Sequence, residues 1–212
     1  MSTTTSNHPV KGLLAAVVCG LALTSCADLA RTGSGPAYLI MERVTASAGG
    51  GSAAGASSLL SDVQVLVDVT VGGVTMRQPT VFNDMGQATI RAEMKNSISA
   101  TAPSPINAIT INRYRVRYRR TDGRNTEGID VPFGFDGATT MTIPIGSSVQ
   151  VGFDLVRQQA KLERPLITLV GLRGLTFLTT IAEVTFYGQD QAGNAVSITG
   201  TIDVQFADFG DE

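Results

Sequence analysis

The residues best suited to nucleophilic or acid–base chemistry lie at the amino terminus. His8 is the only histidine, and Cys19 and Cys26 are the only cysteines, among the 212 residues. The rest of the chain therefore lacks the groups needed for Ser-His-Asp or Cys-His catalysis, for a typical zinc site and for c-type haem attachment. Paired carboxylates remain available in principle for hydrolysis, but no spacing singles out a pair. We therefore predict no catalytic residue, no metal, no cofactor and no enzymatic activity.

Cys26 follows an apolar run whose length is typical of a signal peptide. The run GLLAAVVCGLALT, residues 12–24, has 13 residues. A transmembrane helix needs about 20 residues and a signal-peptide core about 7 to 15. The run ends in Leu23-Thr24-Ser25-Cys26, which resembles the lipobox of bacterial lipoproteins. The resemblance implies export and lipidation at Cys26. The alternative is ordinary cleavage near Ala27, in which Cys26 has no role.

These features divide the chain into a lipoprotein signal peptide (1–25), a lipidated tether (26–36) and one domain (37–212), which carries a low-complexity loop at 46–58. The ten tether residues after Cys26 span at most about 35 Å. Two or more lipid chains would anchor the protein stably to a membrane. Ala27 after the cysteine favours the outer membrane, by resemblance to lipoprotein sorting in enteric bacteria. We expect a protein of the cell envelope, on the periplasmic or the surface face.

Four arginines alternate along one predicted strand and form a candidate anionic-ligand face. They are Arg113, Arg115, Arg117 and Arg119. Such a face could bind lipid headgroups, an acidic polysaccharide or nucleic acid. It could equally be a solvated sheet face whose charges pair across strands, with Glu183 and Asp203 at suitable positions. We favour the second interpretation. The net charge of -2 gives no overall attraction to nucleic acid, and no nucleic-acid partner is expected.

Two other groups of polar residues have ordinary structural explanations. Asp190, Gly193 and Asn194 could offer oxygen ligands to Ca²⁺, but Asp and Asn are also common turn formers. We expect a turn there, and another at Asp122-Gly123. The four tyrosines could stack on sugars, but we expect most of them to pack in the core. They are Tyr38, Tyr114, Tyr118 and Tyr187.

The elements that would position these residues are mainly β-strands. Period-2 alternation runs through residues 63–71, 88–94, 109–119, 139–143, 149–155, 180–187 and 195–206. Gly72-Gly73 is a two-residue hairpin signal, and Asn83 to Gly86 is interpreted as a turn. Helical periodicity is confined to residues 158–164. The pattern predicts an all-β domain of antiparallel sheets, with two sheets sharing a core.

Two segments resemble immunoglobulin-like and fibronectin-type domains. Residues 111–118 (INRYRVRY), followed by Thr121-Asp122-Gly123, resemble the central strand and turn of a fibronectin-type module. Residues 182–188 (AEVTFYG), followed by Asp190 and residues 192–194, resemble the closing hairpin of bacterial immunoglobulin-like domains. The cysteine pair and core tryptophan of antibody domains are missing, so the resemblance implies the broader class of immunoglobulin-like β-sandwiches.

These expectations combine into one functional hypothesis. The chain is expected to be a non-catalytic envelope lipoprotein that acts as a structural or protein-interaction module. Its partners would be the membrane, through the N-terminal lipid, and an envelope protein of unknown identity. The alternative is a module that binds an anionic polymer or lipid headgroups through residues 113–119.

Overall fold

The computed structural model describes residues 35–50, 55–96 and 104–209. The signal peptide, Cys26 and most of the tether lie outside the described residues, as do residues 51–54 of the low-complexity loop. The strands are β1 (Ala37–Ser47), β2 (Ser58–Asp62), β3 (Val65–Val71), β4 (Val74–Thr80), β5 (Asp84–Met94), β6 (Ile109–Arg119), β7 (Phe135–Ile143), β8 (Ser148–Val156), β9 (Leu178–Asp190) and β10 (Ala195–Ala207). A four-residue helix, α1, covers Gln158–Lys161, and 3₁₀ turns cover Pro105–Asn107 and Leu166–Leu169.

The described strands form three sheets, which confirms the all-β prediction. One sheet has the order β1-β5-β8, the second has the order β2-β10-β9-β6-β7, and β3 and β4 form a separate two-stranded ribbon. Every pairing is antiparallel except that of β2 with β10, which is parallel. The predicted antiparallel pairing is therefore confirmed for the described strands except at this edge of the second sheet. The chain doubles back beside β1, where Ala46 bridges Ala56, and β2 then runs along the edge of the second sheet.

The two larger sheets pack face to face in a β-sandwich-like arrangement. Alternation sets their inner faces: in β6, Tyr114, Val116 and Tyr118 are buried while the arginines between them are exposed. The Tyr118 hydroxyl donates a hydrogen bond to the Leu155 carbonyl on β8, at 2.6 Å. Because β6 and β8 belong to different sheets, this bond joins the two layers. Tyr118 is fully buried, and that burial raises its pKa.

Two glycines make room for aromatic rings in this core. Gly86 lies opposite Phe153, and Gly137 lies opposite Tyr114, on neighbouring strands. A Cβ atom on Gly86 would approach the Phe153 ring to 2.3 Å, and one on Gly137 would approach the Tyr114 ring to 2.2 Å. Each ring therefore covers the backbone of its opposite strand, and only glycine fits there without a shift of the ring.

Several predicted boundaries differ from the structure. The turn expected from Asn83 to Gly86 is wrong, because β5 begins at Asp84, whose buried carboxylate is held by three hydrogen-bond donors. Strand β7 begins four residues before Thr139, at Phe135. The helical segment ends at Lys161, earlier than expected. At Asp84 and Phe135, pairing with a strand distant in sequence outweighs the local signal.

Strand directions define two ends of the sandwich. We call the end where β1 begins, at Ala37, the proximal end; Met94 pairs with Ala37 there. We call the end where β1 finishes, at Ser47, the distal end, and β5 begins there at Asp84. The β3–β4 ribbon connects β2 to β5 and so leaves the sandwich at the distal end. The segment between β8 and β9, residues 157–177, leaves from the same end.

Candidate functional site

The arginine face lies on the solvent side of β6, where acidic residues of both neighbouring strands meet it. Arg113 and Arg115 contact the two carboxylate oxygens of Asp136 on β7, at 3.4 and 3.5 Å. Arg119 contacts Glu183 on β9 at 3.0 Å. Three of the four predicted arginines thus have a carboxylate partner. Glu183 was expected as a partner from the sequence, whereas Asp136 was not.

The arginine face also includes a cation–π contact and one arginine without an ion-pair partner among the described residues. The Arg113 guanidinium lies 4.0 Å from the centre of the Tyr187 ring, within cation–π distance. Asp203 lies on β10, which β9 separates from β6. Among the described residues, no carboxylate is within ion-pair distance of Arg117. It lines an open pocket with Arg115, Arg119, Glu127 and Glu183. A bound anion would therefore meet two acidic side chains as well as the arginines.

The Asp122-Gly123 segment is a turn. Gly123 has a φ of +83°, and Asp122 holds the guanidinium groups of Arg120 and Arg124. The hydrogen bond from Arg120 lowers the pKa of Asp122. These side chains serve the geometry of the β6–β7 connection.

The segment around Asp190 also forms a turn. Asp190 Oδ1 accepts hydrogen bonds from the backbone N–H groups of Ala192 and Asn194, at 3.0 and 2.8 Å. Burial opposes ionisation of Asp190, but hydrogen bonds from Asn194, Ala192 and Gly193 outweigh it, so the pKa of the carboxyl is lowered. Nowhere in residues 35–50, 55–96 and 104–209 do three or more potential metal-ligating side chains cluster.

The most concentrated polar chemistry is a buried cluster at the distal end, which the sequence analysis did not predict. Lys161 Nζ lies 2.9 Å from Asp84 Oδ1, with the two side chains 1% and 0% exposed. The Ser61 hydroxyl donates to Asp84 Oδ2 at 2.6 Å, and the Gly49 N–H donates to Oδ1 at 2.7 Å. The Asp84 carboxylate thus accepts three hydrogen bonds, which link β2, β5, α1 and the turn after β1.

This cluster is built to hold the fold together. A substrate cannot reach side chains that are almost completely enclosed, so a role in surface chemistry is excluded for the conformation described. Burying an ion pair costs solvation free energy. The attraction between the charges offsets that cost only when the geometry is good and the remaining lone pairs and N–H groups are hydrogen-bonded. Asp84 meets both conditions through Ser61 and Gly49. The cluster therefore fixes the root from which the β3–β4 ribbon and α1 depart.

Apolar side chains are exposed at the distal end. In the segment after α1, Leu175 is 88% exposed and Phe177 is 65% exposed. Near the tip of the β3–β4 ribbon, Val71 and Val74 are 64% and 61% exposed. Of the tyrosines, Tyr114 and Tyr118 are buried, Tyr187 is half-buried and Tyr38 is exposed.

Comparison with known proteins does not assign the chain to a family. No family model matches the chain, and no curated protein or solved structure compared with it is similar. Within the described residues, no helix has the length and apolarity required to span a membrane.

Proposed function

We propose that this protein is a lipid-anchored module of the bacterial cell envelope, held to the membrane through Cys26 and binding protein partners through its distal end. The anchor rests on the apolar run of residues 12–24 and on Leu23-Thr24-Ser25-Cys26, in which small residues precede a thiol. Ala27 after the cysteine favours the outer membrane. The proposed role is non-catalytic, because the acidic side chains either stabilise turns, pair with arginines across strands, or belong to the buried cluster.

The observation that carries this proposal is the opposite placement of the two ends. The tether joins the domain at Ala37, at the proximal end, while Leu175, Phe177 and the ribbon tip are exposed at the distal end. Exposed apolar side chains are typical of protein-binding surfaces where they lie together.

We further propose that the domain is an immunoglobulin-like sandwich. In that class, strands A, B and E share one sheet and strands C, F and G share the other, with C′ added in variable-type domains. The sheet β1-β5-β8 corresponds to A, B and E in chain order, and β6, β7, β9 and β10 correspond to C, C′, F and G. On this assignment β3 and β4 are an insertion between the first strand and B.

The anchor is tested by two matched cysteine variants of the full chain. Cys26→Ala should abolish incorporation of a labelled fatty acid and move the protein from the membrane fraction to the soluble fraction. Cys19→Ala should change neither, because Cys19 lies inside the apolar run and would be removed with it. Mass spectrometry of a mature, unmodified chain beginning after Ala27 would reject the anchor.

A second candidate function is the binding of an anionic polymer or lipid headgroup by the arginine face. The observation in its favour is Arg117, which has no carboxylate partner among the described residues and lies between Arg115 and Arg119 in an open pocket. Asp136 and Glu183 oppose it by neutralising the other arginines. Retention on a heparin column, compared between the wild-type chain and Arg115→Gln with Arg117→Gln, separates the two functions.

A further inference from the structure

Two opposite charges line one pocket on the solvent side of β6 without pairing with each other. They belong to Arg117 and Glu127, and the pocket has a volume of about 430 Å³. That volume is within the range of sites that hold small ligands. Among the described residues, no carboxylate lies within ion-pair distance of Arg117, and no cation lies within ion-pair distance of Glu127. The pocket therefore presents one positive and one negative group to solvent.

Gly134, in the β6–β7 connection, accounts for the separation of these two charges. Its N–H donates a hydrogen bond to Glu127 Oε1 at 3.3 Å, which holds the carboxylate beside the backbone. A Cβ atom on Gly134 would lie 3.1 Å from the same oxygen and 3.4 Å from Arg117 Cγ. Glu127 therefore lies near the methylene stem of Arg117, and the guanidinium group at the end of that stem stays beyond ion-pair distance.

The neighbouring arginines of the pocket already have carboxylate partners. Arg115 contacts Asp136 at 3.5 Å, and Arg119 contacts Glu183 at 3.0 Å. Once these pairs are formed, one guanidinium and one carboxylate are left over. A simple anion would be attracted by the first and repelled by the second, and a simple cation the reverse. A ligand that carries both signs of charge would be attracted by both groups.

Hydrogen-bonding groups of the pocket suit the same kind of ligand. Asn125 lines the pocket, and its Oδ1 accepts the Arg120 N–H at 2.6 Å, so the amide NH₂ is the end left for a ligand. The planar guanidinium of Arg117 matches the paired oxygens of a carboxylate or phosphate. On Glu127, Gly134 occupies Oε1, and Oε2 remains to accept from an ammonium group.

We propose that this pocket binds a small zwitterion, in which a primary ammonium group lies a few bonds from a carboxylate or phosphate. The oxyanion contacts Arg117 and Asn125, and the ammonium donates to Glu127. A free amino acid and the headgroup of an ethanolamine phospholipid both have this chemistry. The site differs from the second candidate function, because a polyanion has no cation to offer Glu127. It is also independent of the lipid anchor, since all these contacts lie between residues 115 and 136.

The test is a titration of the full-length protein with two zwitterions and their ammonium-free analogues. The first pair is glycine and acetate, and the second is glycerophosphoethanolamine and dimethyl phosphate. Nuclear magnetic resonance of the arginine Nε–Hε groups reports binding, and the Arg117 signal is assigned by its absence in Arg117→Gln. We expect at least one zwitterion to shift this signal saturably and to bind about two- to fivefold more tightly than its analogue, as for an exposed charge pair. The tighter zwitterion identifies the source, amino acid or lipid headgroup.

Glu127→Gln separates a ligand contact from a structural role. The variant amide can still accept the Gly134 N–H, but it neither attracts an ammonium nor repels an oxyanion. The zwitterion should therefore bind about two- to fivefold more weakly, while its ammonium-free analogue binds more tightly by a similar factor. Arg117→Gln, followed through the backbone signal of Gly134, should weaken both. Arg113→Gln is the matched control, because Arg113 lies on the same face of β6 outside the pocket, and it should change neither affinity.

Three outcomes would overturn the proposal. If acetate and dimethyl phosphate bind the wild-type protein as tightly as the zwitterions, the pocket is a simple anion site, as in the second candidate function. If Arg113→Gln weakens the zwitterion as much as Arg117→Gln does, binding is not located in this pocket. If no probe shifts the Arg117 signal, there is no site. Loss of the membrane anchor in Cys26→Ala changes none of these readouts, so the two proposals fail separately.

Discussion

Removal of the buried ammonium group should be among the most damaging single substitutions in the domain. Lys161→Met keeps the length of the side chain and deletes the charge that faces Asp84 at 2.9 Å. Breaking a buried ion pair costs about 3 to 5 kcal/mol, because the remaining charge stays desolvated without its partner. Asp84 would retain hydrogen bonds from Ser61 and Gly49, two of its three donors. We therefore expect a loss near the lower limit, about 3 kcal/mol.

A double variant separates loss of the ion pair from loss of packing. In Lys161→Met with Asp84→Asn, both charges are gone, and the amide can still accept from Gly49 and donate to Ser61. The double variant should recover at least about 2 kcal/mol relative to Lys161→Met, a coupling within the range for groups in direct contact. Arg119→Met, which breaks the exposed pair with Glu183, is the matched control and should cost about 0.2 to 1 kcal/mol.

Urea unfolding at neutral pH, followed by far-ultraviolet circular dichroism, measures these free energies of unfolding. Circular dichroism is the suitable probe because the chain has no tryptophan. If Lys161→Met loses no more stability than Arg119→Met, the buried pair does not contribute the expected free energy. A double variant less stable than Lys161→Met alone would likewise contradict the prediction, since the cluster would then be stabilised by something other than charge pairing.

Three further predictions concern the core and the arginine face. Gly137→Ala should cost about 1 to 3 kcal/mol by forcing a Cβ into an aromatic ring, whereas Gly152→Ala, which meets open space, should change stability by no more than about 0.5 kcal/mol in the same urea assay. Tyr118→Phe should cost about 1 kcal/mol at neutral pH. Because burial raises the pKa of Tyr118, the folded state retains the phenol proton; wild-type stability should therefore fall as pH rises above about 10, and Tyr118→Phe should reduce that fall. Arg115→Gln with Arg117→Gln should leave heparin retention unchanged and alter stability by about 1 kcal/mol at most; salt-sensitive retention that the double variant loses would favour the anionic-ligand function instead.

The parts of the fold that depend on local sequence were predictable. Alternation places Tyr114, Val116 and Tyr118 inward and the arginines outward along β6, as the structure has them. The Gly72-Gly73 signal likewise identified the ribbon turn, because two residues with positive φ are needed there. Side-chain period and turn chemistry are properties of short segments, so a single sequence contains them.

The buried cluster could not be predicted in this way. Ser61, Asp84 and Lys161 lie on separate elements and meet only after the sheets have packed. Asp84 stands within Asn-Asp-Met-Gly, which locally indicates a turn, and Lys161 ends a polar helical segment that suggests an exposed side chain. Burial of both groups is a tertiary property. A lysine is buried only when it has a partner. Lys161 and Asp84 are 77 residues apart, so the local sequence around either residue does not indicate the pair.

Asp136 was missed for a related reason. Its pairing with Arg113 and Arg115 depends on β7 lying beside β6, and the predicted strand began three residues after Asp136, at Thr139. Strand order is set by the packing of the whole sandwich, so cross-strand partners follow from the fold and not from spacing along the chain.

The parallel pairing of β2 with β10 affects the order in which the domain can be completed. One of the earliest strands is hydrogen-bonded to the last, Ser58 beside Asp203 and Asp62 beside Ala207. Closing so long a loop is entropically costly and slow, and the edge of the five-stranded sheet cannot form until the C-terminal strand is present. If the chain is exported from its amino terminus, as proposed, β2 crosses the membrane long before β10. The sandwich would therefore stay open during translocation, and folding would finish only after the last strand had emerged.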